Sequence, residues 1–193
     1  MLNDQNIVVP KHYEQIKIES EKLGFNMPSD LQTGSLLRTL AASKPDGRFL
    51  DLGTGTGLSL AWLAEGANNT SSIYTIDISE HWQNVAKAIF KDDERINFYY
   101  EDGNDWLLDY KGEQFDLIFA DAWPGKFDNL NAALKLVKPG GFYLIDDLLP
   151  QPNWPDGHQE NVEQLVTTLQ NRTDFVHTTL GWSTGLMLFT RIK

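Results

Sequence analysis

The chain lacks cysteine, has no long hydrophobic run and contains few basic residues. Because none of the 193 residues is Cys, disulfides, thiolate metal sites and cysteine nucleophiles are excluded. No uninterrupted apolar run exceeds five residues, and the first ten residues contain neither Lys nor Arg. The sequence therefore predicts neither a membrane span nor a signal peptide, and we expect a cytoplasmic protein.

The charge is strongly negative. Sixteen basic residues against 27 acidic ones give a formal net charge of -11, which repels a phosphate backbone unless a local basic patch overrides the field. The nearest group of basic residues, Lys87, Lys91 and Arg95, is interrupted by acidic residues 92–94. We therefore expect a small-molecule partner, and neither nucleic acid nor a membrane.

The order of apolar and amphipathic segments predicts the fold. The length suits a single domain over residues 1–193. From Arg48 onward, short apolar runs alternate with longer amphipathic stretches, as in parallel strands joined by crossover helices. The last two runs are separated only by residues 181–185, too few for a helix, so they should form an antiparallel hairpin. We predict a doubly wound, Rossmann-like α/β sheet of seven mostly parallel strands, with helices on both faces.

The element boundaries divide the domain into a helical cap over residues 1–46 and an α/β core over residues 47–193. The cap is predicted to act as a lid, to cover one sheet edge or to serve a homodimer interface. The predicted strands are Arg48–Leu52, Ser72–Asp77, Arg95–Tyr100, Phe115–Ala120, Gly141–Ile145, Phe175–Leu180 and Leu186–Thr190. The predicted helices are Lys11–Leu23, Leu31–Ala42, Thr56–Glu65, Glu80–Phe90, Asn129–Leu136 and His158–Leu169.

A glycine-rich loop follows the first predicted strand. Gly53, Gly55 and Gly57 provide three positions without a Cβ, so a ligand can approach the backbone closely at the carboxyl edge of the sheet. The third glycine comes one residue earlier than in a dinucleotide fingerprint. Asp51, at the end of the strand, would repel a pyrophosphate and attract a cationic ligand. We place Thr54 in the same predicted ligand site.

Two further acidic residues end the next two strands. Asp77 lies 24 residues after Gly53, where a carboxylate can accept hydrogen bonds from both ribose hydroxyls of an adenosine. Asp102 follows the third strand and can accept a hydrogen bond from an adenine amino group. Its alternative role is to cap the following helix or turn. Ile78, Gly103 and Asp121 complete the predicted ligand site.

These stretches resemble the successive motifs of class I S-adenosylmethionine-dependent methyltransferases. The resemblance runs from about Gly47 to Asp147. It implies that S-adenosylmethionine, which carries an ammonium and a sulfonium but no phosphate, is the cofactor. The motifs that carry it are Asp51–Gly57, Asp77, Glu101–Gly103, Phe115–Asp121 and Lys138–Gly141.

Within that superfamily, Asp121 and the pair Asp146-Asp147 are similar to small-molecule O-methyltransferases of the catechol and caffeoyl-coenzyme A type. In those enzymes the matching residues hold a divalent metal, so the resemblance implies Mg²⁺ or another divalent cation at Asp121, Asp146 and Asp147. The family has Asn where this chain has Asp147, and adjacent strand residues point to opposite faces unless the strand has ended. The alternative is that these aspartates cap turns and hold no metal. If the carboxylates meet without a cation, at least one should have a raised pKa and accept the proton that the methyl acceptor loses.

The resemblance also bears on the catalytic residues and the acceptor. In the family, the catalytic Lys lies three residues after the Asp that matches Asp121. This chain has Pro124 at that position, and its nearest lysine, Lys126, lies two residues further on. We take Asp121, Lys126 and Asp146 as candidate catalytic residues. Candidates for a wall around a planar acceptor, or in the last case for a base, are Trp123, Trp154, Trp182 and His158.

The predicted function is O-methylation of a small, hydroxylated aromatic acceptor. The sequence leaves three alternatives open. One is a metal-independent methyltransferase that acts on nitrogen or carbon, and another is a non-catalytic module that binds adenosine or S-adenosylmethionine. The third, a nicotinamide-dependent oxidoreductase, is disfavoured by the glycine spacing and by Asp51.

Overall fold

The computed structural model describes residues 7–151 and 154–193, so the first six residues of the predicted cap lie outside it. Seven helices and seven strands are formed by the described residues. None of these helices combines the length and the apolar character that crossing a membrane requires. In chain order the elements are α1 Tyr13–Leu23, α2 Leu31–Ala42, β1 Arg48–Leu52, α3 Leu58–Gly66, β2 Ser72–Asp77, α4 Glu80–Ile89, β3 Ile96–Tyr100, α5 Gly103–Asp109, β4 Phe115–Ala120, α6 Leu130–Lys135, β5 Val137–Ile145, α7 His158–Gln170, β6 Phe175–Leu180 and β7 Leu186–Arg191.

The strands form one sheet in the order β3-β2-β1-β4-β5-β7-β6. Strands β1 to β5 pair in parallel, whereas β7 pairs antiparallel with both β5 and β6. This confirms the predicted mixed sheet with its C-terminal hairpin. The chain order reverses between β1 and β4, and open α/β sheets bind ligands at the carboxyl ends of the strands beside such a reversal.

Alternating side chains place a hydrophobic core on each face of the sheet. Phe49 of β1 packs into a core shared with α1 to α4, and its neighbour Leu50 packs into a core shared with α5 to α7. Successive strand residues point to opposite faces, so a buried parallel strand is apolar on both. The helices therefore cover both faces, as predicted.

Apart from shifts of one or two residues at the ends of elements, the predicted elements differ from the structure in two places. Helix α5 was not predicted, because its seven residues are too few to display a 3.6-residue period. Strand β5 begins at Val137, four residues before the predicted start at Gly141. The stretch Lys138-Pro139-Gly140 contains residues typical of turns, yet the strand runs through it, and Gly140 has a positive φ of 75°.

The described part of the cap, residues 7–46, packs on a face of the sheet. Ile16 of α1 and Leu37 of α2 share a core with Trp62 of α3, and α2 approaches α3 so closely that a Cβ on Gly34 would collide with the Trp62 indole. The edge strands are β3 and β6, and cover of either edge by the cap stays a prediction. The dimer interface stays a prediction.

Candidate active site

A cavity of about 780 Å³ opens at the carboxyl ends of the parallel strands. Its volume lies within the range of about 300–1,000 Å³ that small-molecule sites occupy. The lining residues come from the loops after β1 to β5, from the connection between α1 and α2, and from the hairpin residue Thr184. Because the loops after β1 and β4 are neighbours at the point where the strand order reverses, the glycine loop and Asp121 lie against each other.

The glycine loop separates into a part that faces the cavity and a part that packs behind it. Gly53 and Gly55 line the cavity with positive φ values of 105° and 51°. A Cβ on Gly53 would lie 2.7 Å from the carbonyl oxygen of Asp121. Gly57 is not a lining residue, and a Cβ there would lie 2.7 Å from the Cβ of Ala86. Its predicted ligand contact stays a prediction, while the structure gives it a role in packing α3 against α4.

Asp51 and Thr54 support the loop from inside the protein. The Asp51 carboxylate is fully buried and accepts hydrogen bonds from Thr75 Oγ1 at 2.9 Å and Ser59 Oγ at 3.3 Å. Thr54 Oγ1 shares a hydrogen bond of 2.7 Å with Thr75 Oγ1 and accepts one from Gln83 Nε2 at 3.1 Å. Burial raises the pKa of Asp51 to about 7. Neither residue lines the cavity, so direct ligand contacts for these two remain predictions.

Asp77 joins the end of β2 to the glycine loop. Its Oδ2 accepts the backbone N–H of Gly55 at 2.7 Å, and its Oδ1 accepts that of Ser79 at 2.7 Å. Burial raises the pKa of Asp77, and these two amides oppose that rise. The residue lines the cavity together with Ile78, whose side chain is 68% exposed. Each carboxylate oxygen retains a lone pair for a ligand hydroxyl.

Asp102 caps a helix and also borders the cavity. Its Oδ1 accepts the backbone N–H of Asn104 at 2.7 Å, at the N-terminus of α5. Gly103 lines the cavity beside it. A Cβ on Gly103 would lie 2.9 Å from the Cβ of Pro124, so this glycine allows the loops after β3 and β4 to approach each other.

Three carboxylates and one ammonium meet at the other end of the cavity. Lys126 Nζ lies 4.0 Å from Asp121 Oδ1 and 3.8 Å from Asp147 Oδ2. Asp146 Oδ1 accepts hydrogen bonds from the Thr184 hydroxyl and from the backbone N–H of Asp147. Strand β5 ends at Ile145, and Asp147 has a φ of 59°. The strand has therefore ended before Asp146 and Asp147, so their side chains are not forced to opposite faces of the sheet.

The environment of this cluster favours protonated carboxyls. Burial, reinforced by the charge of Asp146, raises the pKa of Asp121 well above its ordinary value, while Lys126 opposes the rise. Burial, reinforced by Asp147, raises the pKa of Asp146 to about 6. The raised pKa expected of such a cluster is therefore present. With a pKa of about 6, Asp146 is mostly ionised at neutral pH and can accept a proton there.

The predicted metal ligands do not converge on one point. No group of three or more His, Asp or Glu side chains with the arrangement of a metal site occurs in residues 7–151 and 154–193. Asp146 is not a lining residue of the cavity, whereas Asp121, Lys126 and Asp147 are.

Aromatic rings line the cavity beside the carboxylates. The centroid of the His158 ring lies 4.7 Å from that of Trp154, 5.1 Å from Phe127 and 5.6 Å from Trp123. His158 Nδ1 is buried and has no hydrogen-bond partner among the described residues. All four residues line the cavity, and Trp182 does not. Trp182 packs instead against the hydrophobic core that the sheet shares with α1 to α4.

Comparison with known proteins agrees with this arrangement. A family model described as "Methyltransferase domain" matches residues 50–148, which is more than half of the chain. The chain belongs to this methyltransferase domain family. An O-methyltransferase of Aspergillus hancockii, hkm8, is 33% identical over 144 residues, which cover 69% of this chain and 56% of that protein. The chain spans about half the length of the curated relatives it matches.

Solved structures share the fold of this methyltransferase domain. The O-methyltransferase TomG of Streptomyces achromogenes, involved in tomaymycin synthesis and solved with S-adenosylmethionine, aligns with a TM-score of 0.83 at 22% identity. That alignment covers 97% of this chain and 92% of TomG. An O-methyltransferase of Bacillus cereus solved with S-adenosylhomocysteine aligns with a TM-score of 0.80 at 21% identity, covering 97% and 94%. At these identities the likeness concerns the fold.

Several lining residues of the methyltransferase domain were missed by sequence reasoning. Phe25, Met27 and Pro28, in the connection between α1 and α2, line the cavity. Trp82 of α4 packs against Phe25 with the ring planes tilted by 58° and the centroids 5.3 Å apart. The available signal was the break between the two cap helices, a segment predicted to be a lid. For Phe127 the sequence offered a weaker signal, namely its position four residues after Trp123 in the same turn.

Proposed function

We propose that this protein is an S-adenosylmethionine-dependent O-methyltransferase that acts on a small, planar, hydroxylated acceptor. The observation that carries the proposal is one continuous cavity. It joins a glycine loop and the carboxylate of Asp77 at one end to a carboxylate–lysine cluster with aromatic walls at the other. A cofactor at the first end would direct its reactive group toward an acceptor at the second.

The first end of the cavity suits an adenosine without phosphates. The backbone N–H of Gly55 donates to Asp77 Oδ2 at 2.7 Å, so this loop amide, which would serve a pyrophosphate in a dinucleotide-binding fold, is already occupied by a carboxylate. Asp77 would also repel a phosphate and accept the ribose hydroxyls. This argues against the nicotinamide-dependent alternative and supports S-adenosylmethionine, with Ile78, Asp102 and Gly103 around the adenine.

The second end suits proton removal from an aromatic hydroxyl. Bound S-adenosylmethionine would supply an electrophilic methyl group on a sulfonium. The protein has to hold the acceptor oxygen in line with that methyl, exclude water and receive a proton. Asp121 lines the cavity between the two ends, because its backbone lies against Gly53 and its carboxylate faces Lys126. The rings of Trp123 and Trp154 would hold a planar acceptor against it.

The test is a pair of binding and turnover measurements. Calorimetric titration should show binding of S-adenosylmethionine and none of NADH, and mass spectrometry should then detect methyl transfer to catechols. Asp77→Asn should weaken cofactor binding about tenfold or more through loss of the charge-assisted ribose contacts. Asp109→Asn, on the exposed end of α5, serves as the matched control and should leave binding unchanged.

Other outcomes of these measurements would replace the proposal. Methyl transfer only to amine or carbon acceptors would change the acceptor class, and binding without turnover across a broad panel would indicate a non-catalytic module. Binding of NADH in place of S-adenosylmethionine would refute the cofactor. The cytoplasmic location and the homodimer remain predictions that these measurements do not address.

A further inference from the structure

The carboxylate cluster contains a cation that belongs to the chain itself. The Lys126 side chain is only 5% exposed, and its ammonium lies within 4.0 Å of carboxylate oxygens of both Asp121 and Asp147. A buried charge is costly unless it is paired. The ammonium and the carboxylates therefore stabilise one another at the position where related enzymes are expected to hold a divalent cation.

A tight turn fixes the position of this ammonium. The carbonyl oxygen of Trp123 accepts three backbone N–H groups, those of Lys126 at 3.1 Å, Phe127 at 2.9 Å and Asp128 at 3.1 Å. Within the turn, Gly125 has a φ of 80°, and a Cβ there would lie 2.6 Å from Leu52 Cδ1. The turn thus leads the chain back toward the carboxylates, so a lysine five residues after Asp121 reaches it.

The second anchor of the turn comes from the sheet. The hydroxyl of Tyr143, on β5, donates to the carbonyl oxygen of Gly125, and Tyr143 is fully buried. This bond ties the turn to the strand that ends just before Asp146 and Asp147. Strands β4 and β5 therefore hold both Lys126 and the carboxylates that it faces, those of Asp121 and Asp147.

The oxygen atoms of the cluster are not arranged for a hard divalent cation. Mg²⁺ requires a nearly ideal octahedron of oxygens at about 2.0–2.1 Å. Asp146 Oδ1 is engaged by the Thr184 hydroxyl and the Asp147 amide, and Asp121 Oδ2 accepts the hydroxyl of Ser29 at 3.3 Å. Across the described ranges no three such side chains converge. The residues present suit an ammonium better than the metal that the resemblance implies.

We propose that Lys126 takes the place of the divalent cation, so that its ammonium holds the acceptor oxygen and methyl transfer needs no metal. The proposal rests on the proposed function, because it concerns the acceptor half of the same cavity. Lys126 lines that cavity together with Asp121 and Phe127. An ammonium there can donate one hydrogen bond to the acceptor oxygen while its others face the carboxylates.

The step balances without a further reactant. The acceptor O–H bond breaks, and its proton passes to a carboxylate oxygen of the cluster and then to water. A lone pair of the acceptor oxygen forms the new bond to the methyl carbon. The carbon–sulfur bond breaks with its electron pair going to sulfur, which leaves a neutral thioether. Lys126 stays protonated throughout and stabilises the negative charge that develops on oxygen.

Manganese binding tests the proposal without requiring an acceptor. Mn²⁺ is titrated into the full chain saturated with S-adenosylhomocysteine and followed by calorimetry and by the paramagnetic resonance signal of free Mn²⁺. The wild type should bind no Mn²⁺ at this site at about 1 mM, the weak end of protein sites for hard divalent cations. Lys126→Met, which removes the ammonium from three carboxylates, should acquire Mn²⁺ binding. Lys135→Met, on the exposed face of α6, should behave as the wild type.

Turnover provides the second readout. Wild-type methyl transfer should persist in excess chelator and should not rise when Mg²⁺ is added. Lys126→Met should lose turnover about a hundredfold or more, the usual effect of removing one donor to a developing oxyanion, and Lys135→Met should keep it. The proposal is overturned if the wild type binds Mn²⁺ stoichiometrically and Asp146→Asn abolishes that binding, or if chelator abolishes turnover and Mg²⁺ restores it.

The two proposals fail in distinguishable ways. If the chain neither binds S-adenosylmethionine nor transfers methyl groups, the proposed function fails, and the manganese titration of the wild type still decides whether Lys126 occupies the cation position. If Lys126→Met does not fold, as judged by circular dichroism, the wild-type titration and the chelator experiment decide the question by themselves.

Discussion

The buried carboxyl of Asp51 should make folding stability depend on pH in a way that one substitution removes. Burial raises the pKa of Asp51 from 3.8 to about 7, although Thr75 and Ser59 donate hydrogen bonds that lower it. Between these values the folded chain holds a proton that the unfolded chain has released. Stability therefore falls as pH rises from about 4 to 7 and levels off above the folded pKa.

The magnitude follows from the two pKa values. At about 1.4 kcal/mol for each pH unit, a pKa of about 7 in place of 3.8 corresponds to an upper limit of about 4 kcal/mol lost at pH 8. Asp51→Asn removes this dependence. Its amide can donate to Thr75 Oγ1, because the hydrogen bond between Thr75 and Thr54 can run in either direction. We allow about 1 kcal/mol for the altered hydrogen bonds, so the variant should exceed the wild type by about 3 kcal/mol at pH 8.

Urea unfolding at pH 5 and pH 8 measures the effect. The other buried carboxyls are common to both proteins, so the difference between the two curves isolates Asp51. Wild type and Asp51→Asn should differ by less than about 1 kcal/mol at pH 5, where Asp51 is protonated. Asp109→Asn, an exposed control on α5, should follow the wild type at both pH values. A wild type more stable than Asp51→Asn at pH 8 would refute the reasoning, since the carboxylate would then be stabilised rather than penalised by its surroundings.

Two further predictions concern packing and the acceptor. Gly57→Val should destabilise the protein by about 3 kcal/mol or more in urea, because it combines a positive φ of 100° with a Cβ 2.7 Å from Ala86. Gly24→Ala, with a φ of 74° and no atom within 4 Å of the new Cβ, should cost only about 1–2 kcal/mol, and equal losses would contradict the packing role. Trp123→Ala should raise the KM for an aromatic acceptor about tenfold, the effect of losing one ring contact, and should leave cofactor affinity unchanged. A parallel loss of cofactor affinity, measured by calorimetry, would show that Trp123, which is 49% exposed, does not serve the acceptor.

The sheet was predictable because its strands carry strong local signals. Residues Leu117–Ala120 of β4 are apolar on both faces, as the centre of a parallel strand must be. The same reasoning failed at α5, where Asp102 and seven helical residues give only a cap and no visible period. It also failed at Gly140, since a proline–glycine pair marks a turn on average but is tolerated here within β5.

The site was predictable where a residue acts at the end of its own strand. Asp77 ends β2 and Asp121 follows β4, so the rule that ligands bind at the carboxyl edge was enough to place both beside the cavity. Side-chain direction was not predictable in this way. Asp51 also ends a strand, but its carboxylate lies within the core between Thr75 and Ser59, because a pleated strand sends neighbouring side chains to opposite faces.

Lys126 shows why spacing along the chain is a poor measure of position in a loop. A residue in a strand or helix advances by a fixed rise, so a displacement of two residues moves its side chain to another place. In the turn from Trp123 to Asp128, three amides converge on one carbonyl oxygen. The chain folds back on itself there, so the two additional residues between Asp121 and Lys126 do not move the lysine away from the carboxylate. The ammonium still reaches the carboxylate. Transfer of a functional residue between relatives should therefore be judged by the turn that carries it, and here the positive φ of Gly125 is the feature to check.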